Sequence, residues 1–151
     1  MSNNEAEITT KQHVNPDGST VDVPYDTIIE PGVAIGEDVV IGKNVTIGPR
    51  VEILAGTIIS DNVSVGNDTK IAYKVKIGND VSVGSKVRIG TGVLIHDHVE
   101  ISHYVEIDHS CEIHERTFVG HMVKMPMHWV IAADKIVNAG NQTVDFLPQI
   151  H

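Results

Sequence analysis

From Val21 to Gly140 a large aliphatic side chain returns at every sixth position, beginning Val23, Ile29, Ile35 and Ile41 and ending Val119, Met125, Ile131 and Val137. Four residues after each of these stands a smaller one: mostly valine, with Thr57, Thr69, Cys111 and Thr117 in the same column. Six is not a helical spacing, and alternation inside units such as Val39-Val40-Ile41 and Val45-Thr46-Ile47 predicts short strands. The third position after the large residue carries Gly32, Asp38, Asn44, Gly56, Asn62, Asp68, Asp80 and Gly92, types that tolerate a left-handed backbone. Each unit is therefore one short strand and one tight turn, and identical units of this kind coil into a solenoid.

The flanks differ. Residues 1–20 are polar, and Asn15-Pro16-Asp17-Gly18 between Val14 and Val21 predicts a hairpin over Lys11–Val23 that caps the first coil. Beyond Met125, Pro126 and Lys135 interrupt the rhythm and Trp129 stands in the small column, which predicts that the pattern decays through a last coil sealed by Trp129. Residues 141–151 read as an irregular tail.

The unit [Ile/Val]-Gly-x-x-Val-x, repeated over about four fifths of the chain, resembles the hexapeptide-repeat, left-handed parallel β-helix superfamily. The resemblance implies an all-β, single-domain fold of six to seven coils spanning residues 21–140. Three hexads then complete one triangular coil, and residues eighteen apart stack. It also implies a homotrimer with sites between subunits.

Composition narrows the partners. The net charge of −9 argues against nucleic acid and anionic membranes. No apolar run approaches membrane-spanning length, and the N-terminus lacks the basic and apolar regions of a signal peptide, so the cytoplasm is the expected compartment. Aromatic residues make up only 4%, as expected of a narrow aliphatic core, and the single cysteine lies in a core column. Charges recur eighteen apart, with Glu52, Lys70, Arg88, Glu106 and Lys124 in one column and Arg50, Asp68 and Lys86 in another; these read as solvated ladders. Lys70, Lys74, Lys76, Lys86 and Arg88 concentrate basic charge that a phosphate-bearing ligand could use.

Candidate chemistry concentrates in Thr91–His128, which holds seven of the nine histidines. With eighteen residues per coil, His96 stacks on His114 and His103 on His121, while His109 lies near a corner of another face. The segment Ile107-Asp108-His109-Ser110-Cys111-Glu112-Ile113 resembles the "aliphatic-x-His-Asp-Cys-x-aliphatic" segment of hexapeptide acyltransferases, with Ser110 in place of the aspartate. That resemblance implies transfer of an acetyl or acyl group from acetyl-CoA or an acyl carrier to a sugar-like acceptor, with His109 as general base.

A second pattern, Ile95-His96 followed by His109 and His114 five apart, resembles the gamma-class carbonic anhydrases. It implies zinc held by His96, His109 and His114 across a trimer interface, with a position open for water. A non-catalytic trimeric scaffold is the third reading, since imidazoles are tolerated on a polar solenoid surface and no insertion interrupts the coils.

Overall fold

The computed structural model describes residues 9–140 and the backbone of Phe146–Pro148. It is the parallel β-helix that the period predicts, without a helix among the described residues. Two-residue strands lie on three faces. The first face runs from Ile28–Ile29 to Ile136–Val137, the second from Ala34–Ile35 to Lys124–Met125, and the third from Val40–Ile41 to Trp129–Ile131. Each strand pairs in parallel with the strand eighteen residues on, as Lys70 with Arg88 and Ile71 with Ile89.

The strand's second residue points inward and its first outward, so the aliphatic column becomes the core. Ile47, Ile53, Ile59 and Ile113 are fully buried, and Val33, Val45, Val75 and Val87 fill the gaps at the corners. Each such aliphatic contributes about 1.5–3 kcal/mol relative to exposure.

Backbone hydrogen bonds run coil to coil. The Arg88 amide donates to the Val105 carbonyl at 2.9 Å and the Gly90 amide to Ile107 at 2.7 Å. From Ile29 to Ile131 the third position after each core residue is left-handed, even at Lys74 (φ 58), Tyr104 (φ 60) and Met122 (φ 62). A non-glycine residue there costs about 1 kcal/mol. The amide it turns toward the preceding coil offsets part of this, as when Lys74 donates to the Ala55 carbonyl at 3.1 Å.

At the N-terminal end Thr10–Val14 pairs antiparallel with Thr20–Pro24. Buried Asn15 closes both backbone groups of Ile35, its Oδ1 accepting the amide at 2.8 Å and its Nδ2 donating to the carbonyl at 2.9 Å. At the other end the coils continue past the break in rhythm at Pro126. Ile131 and Val137 are fully buried and pair in register with Ile113 and Val119. Half-buried Trp129 packs against the core at the start of its strand. The predicted tail over 141–151 lies outside the described residues, apart from Phe146–Pro148, whose backbone pairs antiparallel with Trp129–Ile131.

Candidate functional site

The glycine that follows so many core residues is explained by what stands above it. Two positions after the core residue, a side chain bends down and accepts the amide one coil below: Asp61 from Lys43, Asn79 from Asp61 and Asp97 from Asn79, at 2.8–3.0 Å. His103 and His109 continue this device with imidazoles. The Ser85 amide donates to His103 Nδ1 at 2.8 Å, and the Thr91 amide donates to His109 Nδ1 at 3.0 Å. Beneath these two imidazoles the lower residues are glycines, Gly84 and Gly90. A Cβ on Gly90 would stand 2.8 Å from the His109 nitrogen and 3.0 Å from its Nδ1.

The bond from Thr91 fixes the His109 tautomer. An amide can only donate, so Nδ1 is unprotonated and the neutral ring carries its hydrogen on Nε2. Nε2 lies 3.7 Å from Asp108 Oδ1, and Asp108 Oδ1 also accepts the His109 amide at 2.7 Å. The ring borders a groove of about 510 Å³ on the second face, with Lys70, Arg88, Glu106, Lys124 and Pro126 along it. Lys70 is held by Glu52 at 3.2 Å. Arg88 and Lys124 form no ion pair among the described residues. The five basic residues of the sequence cluster do not converge. Lys76 lies on the third face, Lys74 and Lys86 occupy left-handed corners, and the Lys86 ammonium sits 5.6 Å from the Tyr104 ring centre.

The other histidines stack as the eighteen-residue coil requires. His96 and His114 lie between the third and first faces with ring centres 4.5 Å apart and planes at 10°. His103 and His121 lie between the first and second, 5.5 Å apart at 19°. His121 Nδ1 is 2.7 Å from Ser102 Oγ. His109 occupies the remaining edge, between strands Glu106–Ile107 and Glu112–Ile113. One chain therefore brings His96 and His114 together and leaves His109 on another edge. Glu112 and Glu115, which the sequence reading did not single out, flank the His96–His114 stack. Glu112 Oε2 is 2.9 Å from His96 Nε2 and 3.3 Å from His114 Nε2, and Glu115 Oε1 is 3.9 Å from His114 Nδ1. Cys111 is buried, its Sγ donating to the Pro126 carbonyl at 3.0 Å; burial pushes its thiol pKa up.

Residues 26–55 match the family described as bacterial transferase hexapeptide (six repeats). No curated protein sequence matches the chain. Among solved structures, a hexapeptide transferase family protein from Anaplasma phagocytophilum superposes with a TM-score of 0.67 at 18% identity, covering 89% of this chain and 81% of that one. A variant of perosamine N-acetyltransferase from Caulobacter crescentus, in complex with CoA and GDP-perosamine, gives a TM-score of 0.66 at 17% identity and covers 72% of this chain. This chain spans about half of that enzyme, 51% of its length. At such identities the likeness is one of fold.

Proposed function

Starting from a chain that carries the hexapeptide repeat and folds as its β-helix, we propose an acyltransferase that moves an acetyl or acyl group from a coenzyme A thioester to the hydroxyl or amine of a sugar-like acceptor. The reaction centre is the groove on the second face, and the observation that carries the reading is His109 at its edge beside Arg88 and Lys124. Two cations without an ion-pair partner on the described chain suit the phosphates of a coenzyme or a nucleotide sugar. The neighbour solved with CoA and GDP-perosamine supports that ligand class. The groove is shallow for so large a donor, so a homotrimer in the cytoplasm, with a second copy walling the groove, belongs to the same proposal.

In this reaction the acceptor oxygen or nitrogen attacks the thioester carbonyl. His109 takes the acceptor's proton and returns it to the departing thiolate. Held by Thr91, the ring presents Nε2–H, which can donate to the oxyanion of the tetrahedral intermediate. To serve as the base at Nε2 it must let go of the Thr91 amide and carry its hydrogen on Nδ1. Its side chain is 58% exposed, which leaves room for that turn. The test is thiol release from acetyl-CoA with amino-sugar nucleotides as acceptors. Wild-type turnover that disappears in His109→Asn supports the proposal, and full turnover in that variant overturns it.

A further inference from the structure

The His96–His114 stack is built differently from the other histidines among the described residues, and the acyl-transfer reading does not use it. One carboxylate oxygen, Oε2 of Glu112, faces the Nε2 atoms of both rings at 2.9 and 3.3 Å. A carboxylate oxygen can only accept, so the neutral His96 ring, which is hydrogen-bonded to it, holds its hydrogen on Nε2. The His96 lone pair is then on Nδ1, and the two rings lie nearly parallel, their planes 10° apart. Beside the stack stands Glu115, with Oε1 3.9 Å from His114 Nδ1. One ligand atom from each of His96, His114 and Glu115 falls within 4.8 Å of the others. His96 and Glu115 border a cleft of about 370 Å³ together with Asp97, His98 and Arg116.

From this geometry we infer a divalent transition-metal site in which Nδ1 of His96, Nδ1 of His114 and the carboxylate of Glu115 hold the ion and Glu112 orients the two imidazoles. Imidazole and carboxylate donors suit a borderline cation such as Zn²⁺. A carboxylate accepting the far N–H of a ligating imidazole is the usual support for such a site, and here Glu112 supplies it to His96 while lying 3.3 Å from His114 Nε2. The local charge agrees. Glu112, Glu115 and Asp97 are acidic, and the nearest cation, Arg116, is engaged by Asp134 at 2.6 and 3.0 Å. Binding tilts the two rings out of their stack, so that both lone pairs converge at bonds of about 2.1 Å. Three protein ligands leave a coordination position directed into the cleft. Nothing in the site requires His109.

The probe is Zn²⁺ alone, titrated into the full-length protein by calorimetry, with ¹⁵N imidazole spectra before and after. The expected result is saturation at one ion per chain, Nδ1-ligated His96 and His114, and retained Nε2–H signals. His96→Ala and Glu115→Gln should abolish saturable binding, and Glu112→Gln should weaken it about 10–100-fold. His109→Ala should bind like wild type. Failure of wild type to saturate, ligation through Nε2, or loss of binding in His109→Ala would each overturn the site. Circular dichroism of every variant shows that the coils are intact, since these side chains lie on the surface of the prism.

Discussion

The amide of Thr91 donates to Nδ1 of His109 across 3.0 Å, the same bond that Lys43 gives Asp61 and Ser85 gives His103 at other corners of the coils. His109 thus has an architectural duty at its corner besides any chemistry in the groove. The two separate by substitution. Asparagine accepts the lower amide at this register, as Asn79 does from Asp61. His109→Asn should therefore keep wild-type stability while removing the imidazole. His109→Ala should lose about 0.5–1.5 kcal/mol in urea denaturation as well. Equal stability losses in both variants would mean that the corner bond contributes nothing.

Gly90 is needed for space. A Cβ there would meet the His109 nitrogen at 2.8 Å and the Asp108 carbonyl carbon at 2.9 Å, both of them backbone, whereas a Cβ on Gly140 meets nothing within 4 Å. Gly90→Ala should cost about 1–3 kcal/mol and Gly140→Ala close to nothing, read from paired thermal melts. If both melted alike, the close approach of adjacent coils at His109 would be wrong.

The small core column makes a second comparison. Thr57, Thr69 and Thr117 each donate a hydroxyl to a carbonyl fifteen residues on, and Cys111 does the same with its thiol toward Pro126. Cys111→Thr should be tolerated within about 1 kcal/mol, because the new hydroxyl inherits the bond. Thr27 is fully buried, and its hydroxyl finds no partner among the described residues. Thr27→Val, matching Val33 and Val45 in the same column, should raise stability by about 1 kcal/mol. Native Cys111 should also resist thiol reagents until the protein unfolds, since it is both buried and raised in pKa.

Arg50 and Asp68 set a pH window. Arg50 Nε lies 2.7 Å from Asp68 Oδ1 and the second guanidinium nitrogen 3.0 Å from Oδ2. The Arg50 hydrogen bonds, helped by Asn67, lower the Asp68 carboxyl from 3.8 to about 2. The folded pKa is depressed, so whatever the pair contributes is present above about pH 4 and vanishes as pH falls toward 2. The pair is solvent-exposed, and salt should screen it. The stability difference between wild type and Asp68→Asn should therefore shrink from pH 6 to pH 2 and at high ionic strength. A difference independent of pH would assign the effect to packing.

Most of the fold is legible in the sequence because a period of six ties each core residue to a face. The stacks of His96 on His114 and His103 on His121 follow from that arithmetic alone. What the period does not encode is which way a surface side chain leans. Neither the capture of the His109 Nδ1 by Thr91 nor the reach of Glu112 across two imidazoles can be counted out along the chain. The last coil is less legible for a related reason. Trp129 and Pro126 look like terminators, yet the large core column continues through Ile131 and Val137, and the backbone follows it. The basic residues between Lys70 and Arg88 look like a patch in one dimension and scatter over separate faces and corners in three.

Strand pairing at intervals of eighteen, uniform from Ile28–Thr46 to Phe118–Ile136, makes this molecule unusually forgiving of one kind of length change and intolerant of others. Excising a whole multiple of eighteen residues shortens the prism and returns every later side chain to the edge it left. Excising six keeps the interior filled but rotates everything downstream by a third of a turn, carrying the His109 groove away from the Arg88 beneath it. The height of the column is free to drift by whole storeys, while the chemistry on each edge survives only when the count is kept.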